Sequence, residues 1–147
     1  MSNDAALVDP LAWQPLRPPS LTEMESVANA IFQQLPVVFR EQCADLVIQV
    51  DDFATAEVLD HMGIENPFHL LGLFQGIGLP FRSESAPMMP NMIWLYRRPI
   101  LSYWAAHKDT LGAVIAHVLV HELGHHFGFS DDGMEALETQ ADPRRDR

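Results

Sequence analysis

The feature that constrains this chain most is an uncharged segment at positions 111–120, LGAVIAHVLV. At about 100° per residue its larger apolar side chains cover a broad arc of a helix, and alanine and valine cover most of the rest. A helix that is apolar on all sides is stable only when protein surrounds it. We therefore predict a helix from about Thr110 to Phe127, capped by Asp109 or Thr110, at the centre of the fold.

The rest of the chain predicts one domain built around that helix. A length of 147 residues suits a single hydrophobic core. Four prolines indicate an irregular N-terminal arm over residues 1–19. Ser20 begins a capping box and a first helix, which Pro36 ends or kinks. We place the domain at residues 20–142 and a basic tail at residues 143–147.

Three segments have the composition of β-strands. Residues 44–53 (ADLVIQVDDF) and 93–99 (IWLYRRP) are rich in β-branched and aromatic side chains, and residues 68–80 (FHLLGLFQGIGLP) run into a glycine-rich turn. Residues 55–63 indicate a short helix, and a last helix is predicted to begin near Asp132. This mixture predicts an α+β fold, in which a twisted mixed β-sheet of about three to four strands packs on helices. The central helix is followed by the short C-terminal one.

Charge and composition narrow the classes of partner. The chain carries 9 basic and 20 acidic residues, for a formal net charge of −11. So acidic a protein should be repelled by nucleic acid and by anionic membranes, and no segment approaches the roughly 20 apolar residues of a membrane span. The single cysteine, Cys43, fits a reducing compartment, and the N-terminus lacks the pattern of a signal peptide. We expect a cytoplasmic protein and favour a monomer.

Residues 121–132, HELGHHFGFSDD, bring polar side chains to the end of the apolar helix. His121 and His125 are one turn apart, so their imidazoles should lie on the same face about 6 Å apart. Two imidazoles at this spacing can bind one zinc ion, and Glu122 can lie beside the ion and act as a general base. A divalent cation would also compensate for burial of the Glu122 carboxylate. The segment therefore predicts a catalytic site with one Zn²⁺.

The motif continues past the second of these histidines. Gly128 can adopt a positive φ and turn the chain off the helix, which would bring Asp131 back to the metal as a third ligand. Asp132 is then left to cap the last helix. A competing interpretation treats the histidines as ordinary and Asp131 as a helix cap. Two carboxylates on the last helix, Glu138 and Asp142, are rival ligands.

Two further histidines lie on the same helix. His117 is one turn before His121, but the outer members of this row of three would be about 12 Å apart along the axis, so one ion cannot bind all three. His117 is expected to orient a ligand, to contact substrate or to be an ordinary hydrogen-bonded histidine. His126 points about 100° away from His125, and we expect it to support a ligand, to be structural or to be partly exposed.

HELGHHFGFSDDGM resembles the zinc-binding signature of the minimal zincins, a bacterial family of small single-domain zincin-like metallopeptidases. Three other segments are similar to the family, namely PVVFREQCADLVIQVDDF, HLLGLFQGIGLP and IWLYRRPI, so the resemblance covers roughly residues 20–140. It implies a zincin fold in which His121, His125 and Asp131 hold zinc and Glu122 is the base. The signature is also similar to that of metzincins, with aspartate in place of the usual third histidine.

The resemblance also implies where a substrate would bind. In zincins an edge strand before the active-site helix pairs with an extended peptide by strand addition. By chain order this edge is assigned to residues 70–76, and the candidate substrate-binding residues are Leu70, Gly72, Phe74 and Gly76. The predicted function is zinc-dependent hydrolysis of peptide bonds in a peptide or protein substrate. The alternatives are a zinc-containing peptide-binding or regulatory module with little or no activity, and hydrolysis of another acyl bond such as a small amide.

Overall fold

A computed structural model describes residues 9–43, 45–76 and 91–128. The predicted last helix and the basic tail lie outside these residues. The described elements, in chain order, are α1 (Pro10–Trp13), α2 (Leu21–Gln33), α3 (Val37–Glu41), β1 (Val47–Asp51), α4 (Ala56–Met62), a 3₁₀ turn (Pro67–His69), β2 (Gly72–Gln75), β3 (Met92–Tyr96), α5 (Arg97–Ala106) and α6 (Leu111–Phe127).

The three described strands form one mixed sheet in the order β1–β3–β2. β1 is parallel to β3, with Val47 opposite Met92, whereas β2 is antiparallel to β3, with Gly72 opposite Leu95. The central strand is therefore paired on both sides, and β2 has a free edge among the described strands. This arrangement confirms the predicted α+β class, with a mixed sheet packed on helices.

Local side-chain chemistry sets the helix ends. The Ser20 hydroxyl accepts a hydrogen bond from the Glu23 amide at 3.1 Å, and the Glu23 carboxylate accepts one from the Ser20 amide at 2.9 Å, so the predicted capping box forms. Thr110 is the residue that caps α6, since its hydroxyl accepts from the Ala113 amide at 3.2 Å. Gly63 ends α4 in the left-handed region, with φ 68°, as the helix prediction for residues 55–63 requires.

Several elements differ from the sequence prediction. Residues up to Pro99 were expected to continue a strand, but α5 begins at Arg97. The prediction was wrong because the first turn of a helix needs no amide donor for its own hydrogen bonds, so proline is tolerated at the third helical position. Within the arm predicted to be irregular, Asp9 caps the single turn of α1. The second strand is shorter than predicted, because the 3₁₀ turn precedes it.

The main core forms between α6, α2 and one face of the sheet. α6 packs against β2, β3, α2 and α5. Its side chains Leu119, Val120 and Leu123 are fully buried and belong to the same cluster as Ile93 and Leu95 of β3. Burial of side chains of this size stabilises the fold by about 1.5–3 kcal/mol each. The uncharged segment therefore lies at the centre of the fold, as its sequence predicts.

The prediction that protein surrounds α6 on every side is wrong in one respect. One stripe of the helix is exposed, and it carries His117, His121 and His125. The helix thus buries its aliphatic side chains and presents three imidazoles on a single face. In residues 9–43, 45–76 and 91–128, no helix is both long enough and apolar enough to cross a membrane.

The edge strand approaches α6 closely at Gly72. A Cβ atom placed on Gly72 would lie 2.7 Å from Cγ1 of Val118 and 3.2 Å from the carbonyl oxygen of Trp94. It would also lie 3.3 Å from Cγ of Glu122. The absence of a side chain at Gly72 therefore lets β2 lie against the helix at the level of Glu122.

We expect Gly72→Ala to lower the free energy of unfolding by about 1–3 kcal/mol, because the added methyl group must push β2 away from Val118. Urea denaturation followed by circular dichroism measures the change. Gly63→Asn is the control: an added Cβ there meets no atom within 4 Å, and asparagine tolerates the left-handed backbone. Equal stability of the two variants would contradict the proposed close packing.

Candidate metal centre and active site

Two imidazoles lie one helical turn apart on the exposed stripe of α6. The ring centroids of His121 and His125 are 5.3 Å apart, and the centroid of His117 is 6.4 Å from that of His121. The side chain of His125 is 50% exposed, so a solute can reach it. Imidazole nitrogens at this spacing and exposure have the chemistry and the access that a divalent transition metal needs. The first two predicted ligands are therefore brought together.

The carboxylate of Glu122 lies beside these imidazoles but on the buried side of the helix. Glu122 is 7% exposed, and its Oε1 is 3.3 Å from Nδ1 of His125. The backbone amide of Phe74, in the edge strand, donates a hydrogen bond to the same carboxylate. A proton on Nδ1 of His125 would lie between the two groups and leave the Nε2 lone pair for a metal. Glu122 thus connects the imidazole stripe with the strand.

Burial changes the acid–base chemistry of this carboxylate. Loss of solvent raises the pKa of Glu122 above its usual value, and the positive charge of His121 and the Phe74 amide offset part of that increase. The direction of each effect on the pKa is the expected one, because removing water disfavours the charged carboxylate whereas a cation and an N–H donor favour it. A carboxylate with a raised pKa holds a proton more readily than an exposed one and is better suited to general-base catalysis.

The helix ends where the sequence predicts. Gly128 has φ 69° and ψ 31°, in the left-handed region, and its amide donates to the carbonyl oxygen of Gly124. The chain therefore leaves the helix at Gly128, three residues past His125. Asp131 lies outside the described residues, and the residues that are described include no group of three His, Cys, Asp or Glu side chains able to hold a metal ion. Two of the three predicted donors are thus described, and these two fit a zinc site in type and spacing.

Alternate residues of β2 direct their backbone groups to the edge that no described strand covers. The Tyr96 amide donates to the carbonyl oxygen of Leu71 at 3.0 Å, so every second residue from Leu71 directs its N–H and C=O towards β3. The residues between them, Gly72 and Phe74, consequently direct their backbone groups to the edge. One of these groups, the Phe74 amide, already bonds the Glu122 carboxylate.

The four predicted substrate-binding residues have different positions. Gly72 and Phe74 lie within β2, whereas Leu70 ends the 3₁₀ turn and is buried. Gly76 follows the strand with φ 142°, and a Cβ atom there would collide with Oδ1 of Asn91. Only Gly72 and Phe74 therefore have the edge-facing backbone that strand addition requires.

A comparison with known families settles the membership of the chain. A family model described as zincin-like metallopeptidase matches residues 43–141. The chain belongs to the zincin-like metallopeptidase family. Membership confirms the resemblance to zincins, and it implies zinc binding and peptide substrates in general terms. No curated protein matches the chain.

One contact that the sequence did not predict is a buried pair formed by His126 and Asn91. Nε2 of His126 is 3.2 Å from the carbonyl oxygen of Gln42, which can only accept, so this nitrogen carries the proton. Nδ1 then accepts from the Asn91 amide at 3.2 Å. Both side chains are fully buried, so the expectation that His126 is partly exposed is wrong. An asparagine next to a proline indicates a turn, and the neighbouring sequence does not predict its contact with a histidine 35 positions later.

Tyr96 of β3 is a second residue that sequence reasoning missed. It is 3% exposed, and its pKa is raised to about 12. Burial is the main cause, and the negative charges of Asp51 and Glu122 add to it. The phenol therefore stays protonated across the physiological pH range, and the charge of the Glu122 carboxylate contributes to this.

The Tyr96 shift makes stability depend on alkaline pH. In the unfolded chain a tyrosine ionises near pH 10, whereas in the folded protein Tyr96 keeps its proton to about pH 12. The stability that this proton contributes is therefore present below about pH 10 and is lost as the pH rises towards 12. Urea midpoints at pH 9, 10 and 11 should fall less steeply for Tyr96→Phe than for the wild type.

The control for this experiment is the only other tyrosine of the chain, Tyr103. Tyr103→Phe retains Tyr96 and should keep the wild-type slope. Identical slopes for Tyr96→Phe and wild type would show that the buried phenol is not coupled to folding.

Proposed function

We propose that the protein hydrolyses peptide bonds with one zinc ion and with Glu122 as the general base. The observation that supports this most is the position of Glu122. It is a buried carboxylate of raised pKa, flanked by two imidazoles one turn apart and hydrogen-bonded to an edge strand. A carboxylate in such a setting has little structural reason to be there, because burial without a compensating cation is unfavourable.

His121, His125 and Asp131 would hold the ion. The spacing of the two imidazoles on α6 supports their assignment, and that of Asp131 rests on the sequence. When bound, zinc polarises a scissile carbonyl and makes water acidic enough to attack at neutral pH. Gly128 turns the chain after the helix, which is the conformation that a third ligand three residues later requires.

The chain's own residues supply proton transfer and orientation. Glu122 takes the proton of the attacking water and later gives it to the leaving amine. The Phe74 amide holds one part of the carboxylate, so Glu122 has a restricted orientation before substrate binds. Because the carboxylate is buried, solvent does not compete for the proton that it accepts. We propose that His117, which stacks at 6.4 Å beside His121, orients that ligand or meets the substrate.

An extended peptide would bind along the free edge of β2. The amide and carbonyl of Gly72 and the carbonyl of Phe74 face this edge, so a peptide strand can hydrogen-bond to them without any side-chain recognition. The Phe74 amide stays with Glu122. The edge lies beside Glu122, which places the bound backbone next to the base. This arrangement favours peptides over small amides, which cannot use a strand edge. We further propose that the protein acts as a monomer. We place it in a reducing compartment such as the cytoplasm, because its one cysteine, Cys43, is a buried free thiol.

We expect Glu122→Gln to retain zinc and to lose hydrolysis by about 10²–10⁴-fold, because the amide cannot accept a proton. His121→Ala should lose both zinc and activity. Zinc is counted by metal analysis of the purified proteins, and hydrolysis is followed by mass spectrometry on a peptide library. His69→Ala removes an exposed histidine away from α6 and should leave both unchanged.

Two outcomes would change the proposal. A Glu122→Gln protein that cleaves peptides at the wild-type rate would remove Glu122 from the role of base. A wild type that binds one zinc and binds peptides without cleaving them would favour the peptide-binding or regulatory module instead.

The role of Asp131 needs a separate test. We expect Asp131→Ala to weaken zinc binding by about 100-fold or more, since losing a ligand should cost at least as much as losing a residue that supports one. Competition with a chelating dye measures the affinity. Asp132→Ala, which removes the neighbouring carboxylate, is the matched control. If Asp132→Ala weakens zinc binding more than Asp131→Ala does, the two aspartates have exchanged the roles assigned to them.

A further inference from the structure

A groove of about 690 Å³ lies on the sheet face opposite α6. Trp94 and Tyr96 of β3 line it, together with Val58 of α4, and they belong to a hydrophobic cluster separate from the main core. Its volume is within the range of sites that bind small ligands or single side chains. Among the described residues, the candidate ligands His121 and His125 and the carboxylate of Glu122 do not line this groove.

The groove has acidic groups around an aromatic floor. Asp51, at the end of β1, and Glu57, in α4, line it, and among the described residues that line it only His61 can become positively charged. Asp51 is opposite Tyr96 in the pairing of β1 with β3, so its side chain points to the same face of the sheet. Phe53 adds a further aromatic ring.

The neighbouring arginines already have partners. Nη1 of Arg97 is 2.9 Å from the carboxylate of Asp52, and the guanidinium of Arg98 lies over the Phe53 ring, 5.7 Å from its centroid. Neither arginine lines the groove. In the part of the chain that the structure describes, the carboxylates of Asp51 and Glu57 are therefore the negatively charged groups that line the groove.

The groove is continuous with the edge strand. The side chains of Leu73 and Gln75 point to this face of the sheet and line the groove, and Oε1 of Gln75 accepts from Nε1 of Trp94 at 2.7 Å. Side chains on adjacent strands point to the same face when their residues are opposite each other. A peptide strand added beside β2 would thus direct the side chains opposite Leu73 and Gln75 to the groove face.

We propose that this groove is a specificity site that binds an arginine or lysine side chain of the peptide substrate. The proposal rests on the proposed function in one respect, that a peptide lies along β2. The apolar stem and the cationic head of such a side chain would pack on the aromatic floor. Asp51 lies on β1, three strand spacings or about 14 Å from such a peptide, so it would attract the head through its charge rather than by direct contact, and Glu57, which lines the same groove, would add to that attraction. An acidic side chain would be repelled by the same two carboxylates. The net charge of −11 also attracts basic peptides to the protein, so it favours the same substrates as the groove.

Binding is measured with the zinc-loaded Glu122→Gln protein, which cannot consume the peptide. The probes are fluorescent octapeptides of alanine and glycine that carry one arginine, moved along the sequence in turn. Matched probes carry citrulline, which has nearly the same shape without the charge, or norleucine. We expect arginine to bind about tenfold more tightly than citrulline at one position or at two positions that are two residues apart. The preference should weaken as salt is added.

The groove is tested with a second pair of substitutions. Asp51→Asn with Glu57→Gln should remove most of the preference for arginine over citrulline and leave the part that the aromatic floor contributes. The control is Asp60→Asn with Glu65→Gln, which removes the same charge from exposed residues that line a different cavity. This control should keep the preference, because the charges that line the groove are unchanged.

The outcomes separate this proposal from the proposed function. Cleavage of library peptides by the wild type without an arginine preference overturns the specificity site and leaves the hydrolase. A preference that is mostly lost with Asp51 and Glu57, in a protein that cleaves nothing, supports the site and removes the hydrolase. Tighter binding of norleucine than of arginine, equal effects of the two double substitutions, or no binding of any probe overturns the specificity site.

Discussion

The contact between α6 and the edge strand at Gly72 is the one on which the rest of this structure depends. A helix and a strand can lie this close only where the strand lacks a side chain, and Val118 fills the space that a Cβ atom would take. The same approach lets the Phe74 amide reach the Glu122 carboxylate. Gly72 thus lets α6, which would carry the metal ligands, lie against β2, which would bind the substrate.

The contact also explains how α6 can form the centre of the core and also carry the candidate active site. Aliphatic side chains such as Leu119 and Leu123 hold α6 against the sheet, and the remaining stripe is left to His117, His121 and His125. Glu122 lies at the boundary of these two regions, where its carboxylate is dry enough to have a raised pKa and close enough to His125 to act beside it. The family match is consistent with this division of the helix.

Sequence reasoning predicted the features that local chemistry determines. The Ser20 capping box, the Thr110 cap and the left-handed Gly128 follow from residues within four positions of one another. It failed for α5, because a proline at the third helical position looks the same as one that ends a strand. It also could not predict the bonds that join distant segments, such as those of Phe74 with Glu122 and of Asn91 with His126. The assignment of Asp131 depends on spacing alone and stays a prediction.

The bonded state of His126 has a consequence for metal selection. The motif contains two consecutive histidines, His125 and His126, and if both side chains were free, either one could coordinate a metal ion. Because Nε2 of His126 donates to a backbone carbonyl and Nδ1 accepts from Asn91, this imidazole has no lone pair to offer. A metal ion could therefore coordinate His125 but not His126, and the set of ligating residues cannot shift by one position along the helix.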